Sequence, residues 1–115
     1  MKDSVSSQIF QDIQTAWNTL NPQHIIKHLD KCFIYNSQWV FESLDYERYI
    51  SYLTGKFNKI RETGCIVEAT IVDGAVRLNQ NGSIAFYRVK IENGKIIKGD
   101  GFPHRFSCLL SKISR

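Results

Sequence analysis

Cysteine is scarce in this 115-residue sequence, and its spacing offers little chemistry. The three cysteines (Cys32, Cys65, Cys108) are odd in number, widely separated and form no C-x-x-C pair, which excludes a zinc knuckle or a thioredoxin-type motif. They read as reduced, mostly buried thiols of a cytoplasmic protein. Two prolines and seven glycines are too few for a collagenous or low-complexity chain. No apolar run approaches the ~20 residues of a membrane helix. Met1-Lys2-Asp3-Ser4 leads straight into an amphipathic pattern, without the apolar stretch of a secretory signal. No G-x-G-x-x-G, P-loop or G-x-S-x-G elbow occurs, so no cofactor is expected and no serine nucleophile is indicated. Charge is modest: 15 Lys/Arg against 11 Asp/Glu leave +4, which is no nucleic-acid signature by itself.

What the sequence does have is apolar material, 43% hydrophobic and 12% aromatic, at a length that suits one domain. That domain is expected over 1–115, with its core at about 5–102 and a tail over 103–115. Val5, Ile9, Ile13, Ala16, Trp17 and Leu20 recur at helical spacing, which predicts a first helix from a cap at Asp3 or Ser4. Asn21-Pro22 restarts the chain and predicts a short second helix over 22–29. From Lys31 the period becomes two: Phe33, Tyr35, Ser37 and Trp39 alternate with Cys32, Ile34, Asn36 and Gln38, a strand pattern. After a loop over 40–44, Asp45 can cap a third helix carrying Tyr46, Tyr49, Ile50, Leu53, Phe57 and Ile60, stopped by Gly64. Gly55 interrupts this helix at a cost of about 1 kcal/mol relative to Ala, which suggests a close contact there. Strands then follow at 65–72, 75–78, 83–92 and 95–102, separated by Asp73-Gly74, Asn81-Gly82 and Asn93-Gly94 turns. The predicted class is α+β, with three N-terminal helices packed on a curved, mostly antiparallel sheet.

Several stretches sharpen this. Leu20-Asn21-Pro22-Gln23-His24 breaks one helix before another, Lys31-Cys32-Phe33-Ile34-Tyr35-Asn36 opens a first strand, and Asn93-Gly94-Lys95-Ile96-Ile97 turns a final hairpin. In this order they resemble the nuclear transport factor 2-like superfamily, which includes SnoaL-like polyketide cyclases and ketosteroid isomerases. The likeness spans about 5–102. It implies a cystatin-like cone with an internal pocket between the helices and the concave sheet face. It also implies a homodimer through the outer sheet face, and it specifies no single activity.

The last hairpin yields the candidate site. A two-residue Asn93-Gly94 turn pairs Glu92 with Lys95, Ile91 with Ile96, Val89 with Lys98 and Tyr87 with Asp100. One face then carries Ala85, Tyr87, Val89, Ile91, Ile96, Lys98, Asp100 and Phe102, and the other carries Phe86, Arg88, Lys90, Glu92, Lys95 and Ile97. The first face is the more apolar and is expected to meet the helices. There Asp100 would be the acid or base and Tyr87 the donor to an oxyanion, beside Lys98. A one-residue bulge, which Gly99 and Gly101 would permit, turns Asp100 outward instead.

Trp17, Tyr35, Trp39, Tyr49 and Phe102 are expected to line the pocket, with Tyr52 off the main stripe of its helix. Asn36 stands near where ketosteroid isomerase-like relatives carry a carboxylate base. A carboxamide takes up no proton at neutral pH, so Asn36 could only hydrogen-bond a ligand. His24 and His28 are spaced to share a metal, but Lys27 and Lys31 would repel it, and no metal site is expected.

Two functions remain open at this point. One is a small-molecule-binding protein for an unknown apolar ligand, with cofactor-independent acid/base chemistry on a carbonyl compound if it is an enzyme. The other is a non-catalytic dimerisation or protein-interaction domain whose cone is filled by side chains. A cavity above about 300 Å³ that reaches Asp100 favours the first, and a filled cone with Asp100 salt-bridged at the rim favours the second. The outer face, with Phe86, Arg88 and Lys90, is expected to hold a second copy of the chain and neither nucleic acid nor membrane.

Overall fold

The computed structural model describes residues 2–37 and 43–103. Helix α1 (Lys2–Thr19) and the single turn α2 (Gln23–Ile26) precede strand β1 (Leu29–Ser37). Helix α3 (Tyr46–Thr63) follows, and then β2 (Val67–Val72), β3 (Ala75–Gln80), β4 (Ser83–Glu92) and β5 (Lys95–Pro103). The five strands form one curved, unclosed sheet in the order β1-β5-β4-β3-β2, in which only the β1–β5 pair is parallel. The expectation of three N-terminal helices packed on the sheet is met in part: the helices are three, but α3 follows the first strand and lies between β1 and β2. Among the described residues, no helix is long and apolar enough to cross a membrane.

Helix α1 packs on β2 and β3, and α3 packs on β1. Ile9, Ile13, Ala16 and Trp17 carry the buried stripe of α1, whereas Val5 stands 47% exposed and falls outside it. Leu20 ends the helix in the left-handed region (φ 56°), and the Asn21 N–H reaches back to the Ala16 carbonyl at 2.9 Å. Helix α2 is shorter than its predicted span because Leu29 already pairs with Ile96 in the sheet. For α3 the Asp45 carboxylate accepts the Arg48 N–H at 3.0 Å, and Gly64 closes the helix at φ 74°. Gly55 makes no close contact: a β-carbon there would meet nothing within 4 Å. The thiols also depart from expectation, since Cys32 is exposed and Cys65 half-buried, while Cys108 lies outside the described residues.

The three hairpins turn where the Asp-Gly and Asn-Gly pairs stand, with positive φ at both central residues of each. At the free edge of the sheet, α1 supplies what a sixth strand would. Gln14 Nε2 donates to the Ala69 carbonyl at 2.9 Å, and Asn18 Oδ1 accepts the Ala69 N–H at 2.8 Å. Two amide side chains one helical turn apart thus satisfy both outward-facing backbone groups of one edge residue.

The β4–β5 register departs from the simple hairpin. Glu92↔Lys95 and Ile91↔Ile96 pair as predicted, but the register then slips by one, giving Lys90↔Lys98, Arg88↔Asp100, Tyr87↔Gly101 and Phe86↔Phe102. Ile97 is the extra residue. Ile96, Gly99 and Gly101 consequently face the core with Tyr87, while Lys98, Asp100 and Phe102 share the outer face with Phe86, Arg88 and Lys90. The physical reason is burial. Without the slip, Lys98 and Asp100 would sit under the helices, yet among the described residues no charged side chain is buried. With it, the space beneath β5 goes to the Phe33 and Tyr87 side chains, which lie 3.1 and 3.2 Å from where a β-carbon at Gly99 would stand.

Candidate functional site

A cavity of about 320 Å³ lies between α1, α3 and the inner sheet face. Helix α3 contributes Tyr49, Tyr52, Leu53 and Lys56, which recur at helical spacing and so share one side of the helix. Opposite them stand Trp17 from α1, Tyr35 from β1, Leu78 and Gln80 from β3, and Ala85 and Tyr87 from β4.

Four of the chain's five tyrosines meet at this cavity. The Tyr35 ring centroid lies 4.6 Å from that of Tyr49, 5.8 Å from Tyr52 and 6.2 Å from Tyr87. Tyr49 Oη donates to Tyr87 Oη at 3.0 Å, with both residues buried. Two phenols that share one hydrogen bond keep one proton to give to a third group. Burial pushes both well above the ordinary phenol range, and at Tyr49 the neighbouring tyrosines add to the rise. At Tyr87 the bond from Tyr49 pulls the other way and the Asp100 charge pushes up again. Both therefore stay protonated donors at neutral pH. Partial burial also raises Tyr52, and a hydrogen bond with Tyr35 offsets some of that rise.

Two further polar groups line the cavity. Trp17 is 5% exposed, and its indole Nε1 has no hydrogen-bond partner among the described residues. Lys56 is half-buried with its ammonium 5.7 Å from the centre of the Tyr52 ring, and burial lowers its pKa.

Of the predicted site residues, the structure brings Trp17, Tyr35, Tyr49 and Tyr87 together around one cavity. Trp39 lies outside the described residues. Lys98, Asp100, Phe102 and Asn36 are not brought to the cavity: Asn36 pairs with Asp100 across β1–β5, and Phe102 stacks on Phe86 at 5.9 Å. The bulge at Ile97 therefore corrects the Tyr87–Asp100 pairing, and Asp100 reaches Tyr87 only through its charge. Lys56 and Gln80 were not anticipated. Lys56 stands seven residues after Tyr49, on the same helix side, but a scan for apolar positions passes over a lysine.

Of the two histidines, His28 is engaged by a carboxylate. His28 Nε2 lies 2.7 Å from Asp12 Oδ2, with Lys27 at 3.6 Å and Gln8 donating to the other carboxylate oxygen at 3.0 Å. Burial alone would raise the Asp12 carboxyl, but the bonds from His28 and Gln8 and the neighbouring positive charges hold it below its usual range. This cluster ties α1 to the corner between α2 and β1.

No protein-family model matches the sequence, and no curated protein matches it. Solved structures do. A SnoaL-like protein of unknown function from Burkholderia thailandensis is 16% identical, with a TM-score of 0.72 over 87% of this chain and 94% of its own. A nuclear transport factor 2-like protein from Anabaena variabilis is 14% identical, with a TM-score of 0.65 over 87% of each chain. A ketosteroid isomerase-like protein from Kribbella flavida is 12% identical, with a TM-score of 0.57 over 87% of this chain and 75% of its own. The chain thus has the fold of the SnoaL-like and nuclear transport factor 2-like proteins. At these identities the likeness concerns architecture, and activity must be argued from the site.

Proposed function

We propose that this protein binds a small, flat, largely apolar molecule in the cavity between α3 and the inner sheet face. The observation that carries this reading is the open space itself, about 320 Å³ walled mainly by aromatic and aliphatic side chains with a few donors among them. A cone filled by its own side chains, as a pure interaction domain would have, leaves no such room. Tyr35, Tyr49 and Trp17 supply flat contact area, and Tyr87 with Tyr49 behind it offers a proton to a ligand oxygen. Acid/base catalysis is not part of the reading, because no carboxylate stands among the described lining residues and Asp100 belongs to the other face. We place the protein in the cytoplasm, where thiols such as Cys32 stay reduced.

Ala85→Trp tests the cavity by filling it. Binding of the neutral fluorescent probe N-phenyl-1-naphthylamine is expected to weaken about tenfold or more, because most of the apolar area the probe buries is lost. The urea midpoint should hold or rise. Unchanged probe affinity in a folded Ala85→Trp variant would remove the cavity as the binding site.

The outer sheet face we assign to a second copy of the chain. Phe86, which also borders the cavity, and Phe102 stack towards the open end of the β4–β5 hairpin, the Arg88 guanidinium lies 5.3 Å from the Phe102 ring centre, and Lys90 and Glu92 lie towards the turn. Aromatic side chains flanked by charged ones are how association surfaces are composed. Phe86→Glu should convert a dimer into monomers by light scattering. A dimer that persists in this variant rejects the assignment.

A further inference from the structure

Within the binding reading above, on which this inference rests, we propose that Trp17 selects the ligand, its indole N–H donating to an oxygen carried by an otherwise apolar ring system. The hydrogen bonds around the cavity point to this residue. Tyr49 is bonded to Tyr87, Tyr52 to Tyr35, and Gln80 to the Cys65 thiol. Asn18, the residue after Trp17, has its side-chain oxygen engaged by the Ala69 N–H. Among the described residues, Trp17 Nε1 is the one buried side-chain nitrogen or oxygen without a partner. An indole nitrogen donates and does not accept, and a buried tryptophan ordinarily finds an acceptor for it. Here no described residue supplies that acceptor, and Trp17 borders the open space of the cavity.

Packing fixes where the donor stands. Trp17 meets Phe57 of α3 edge-on, with 4.6 Å between ring centroids and 72° between planes, so two helices hold the indole. If filling space were its whole task, phenylalanine would serve without a stranded N–H. The energetic direction agrees. A buried donor without a partner is costly, so an acceptor brought by the ligand is gained without breaking a bond to any described residue. A hydrocarbon of the same shape occupies the same space and leaves the N–H as stranded as before. Sites built around a donor discriminate strongly against the analogue that lacks the acceptor, more than an apolar pocket discriminates by size.

The test compares two probes of nearly equal shape, 2-acetylnaphthalene and 2-isopropenylnaphthalene, which differ by a carbonyl oxygen against a methylene. Both are titrated into the full chain and followed by the chemical shifts of its backbone and indole N–H groups. The ketone is expected to bind at least about tenfold tighter, the size of one buried hydrogen bond. The Trp17 indole proton should move downfield with the ketone and not with the alkene. Trp39→Phe leaves one indole resonance, that of Trp17, and so assigns it. In Trp17→Phe, which keeps an aromatic ring, the preference for the ketone should shrink about tenfold. Should that variant fail to fold, the indole shift in the native chain decides. Equal binding of the two probes, a preference undiminished in Trp17→Phe, or a ketone complex without the indole shift overturns the role of Trp17 and leaves the cavity reading intact. Failure of both probes to bind the native chain overturns the cavity reading and this inference together.

Discussion

Replacing Phe33 with Ala is expected to cost about 3–5 kcal/mol, enough to consume a large share of the stability of a domain this size. Phe33 is fully buried, packs at a tilt against Tyr49 with 4.8 Å between ring centres and lies under Gly99. Urea unfolding should show the midpoint falling with little change in slope. A second substitution makes the expectation specific. Gly99→Ala in the native background puts a methyl 3.1 Å from Phe33 Cζ and 3.2 Å from Tyr87 Oη, an overpacking that should cost about 1–3 kcal/mol. In the Phe33→Ala background two of the three close contacts are gone and only the Tyr87 hydroxyl still crowds the methyl, so the cost should fall. The two losses are thus non-additive, as expected for residues in direct contact. Additive losses would mean that Gly99 is glycine for some reason other than the ring beneath it.

Alkaline instability is the second large effect. Tyr49 and Tyr87 are acids whose folded pKa lies above the unfolded value of about 10. Below that value both states hold the proton, and the groups add no pH dependence. Above it the unfolded chain loses protons that the folded chain retains, so stability falls as pH rises, by about 1.4 kcal/mol per pH unit for each tyrosine. Lys56 acts in the opposite sense. Its lowered folded pKa relieves a destabilised charge as pH approaches the ordinary lysine range, which blunts the start of the decline. Tyr49→Phe/Tyr87→Phe should flatten the profile between about pH 10 and pH 11.5 while costing little at neutral pH, because both partners of the buried bond leave together. Each single variant should lose about 1–3 kcal/mol at neutral pH, the penalty of a stranded hydroxyl. A double variant as alkali-sensitive as the native chain would assign the decline to other groups.

Much of the architecture could be read in advance because it rests on local rules. The Asp73-Gly74, Asn81-Gly82 and Asn93-Gly94 turns need positive φ at both positions, and few residue pairs tolerate that. Asp45 and Gly64 bound α3 for equally local reasons. The site was less legible. Trp17, Tyr35, Tyr49 and Tyr87 lie on apolar faces that periodicity exposes, and all four line the cavity. For Asp100, Lys98 and Phe102 strict alternation predicts the inner face, and the one extra residue at Ile97 turns them to the outer one. Nothing local marks that bulge. It follows from how well the Phe33 and Tyr87 rings fill the space beneath two glycines, a property of strands distant in sequence. Lys56 and Gln80 escaped notice for the converse reason, being polar residues whose inward placement only the assembled cone reveals.

The grip of Gln14 and Asn18 on Ala69 has a further consequence for how this protein can fail. The two amides guard a strand that carries Ile71 on its length and Ile66 at its approach, both exposed. Detachment of α1 alone, with the sheet still folded, would unmask a hydrogen-bonding edge already flanked by apolar side chains. The first helix therefore acts as a safety catch against self-polymerisation, and opening this one segment, well short of global unfolding, is the event that would start aggregation.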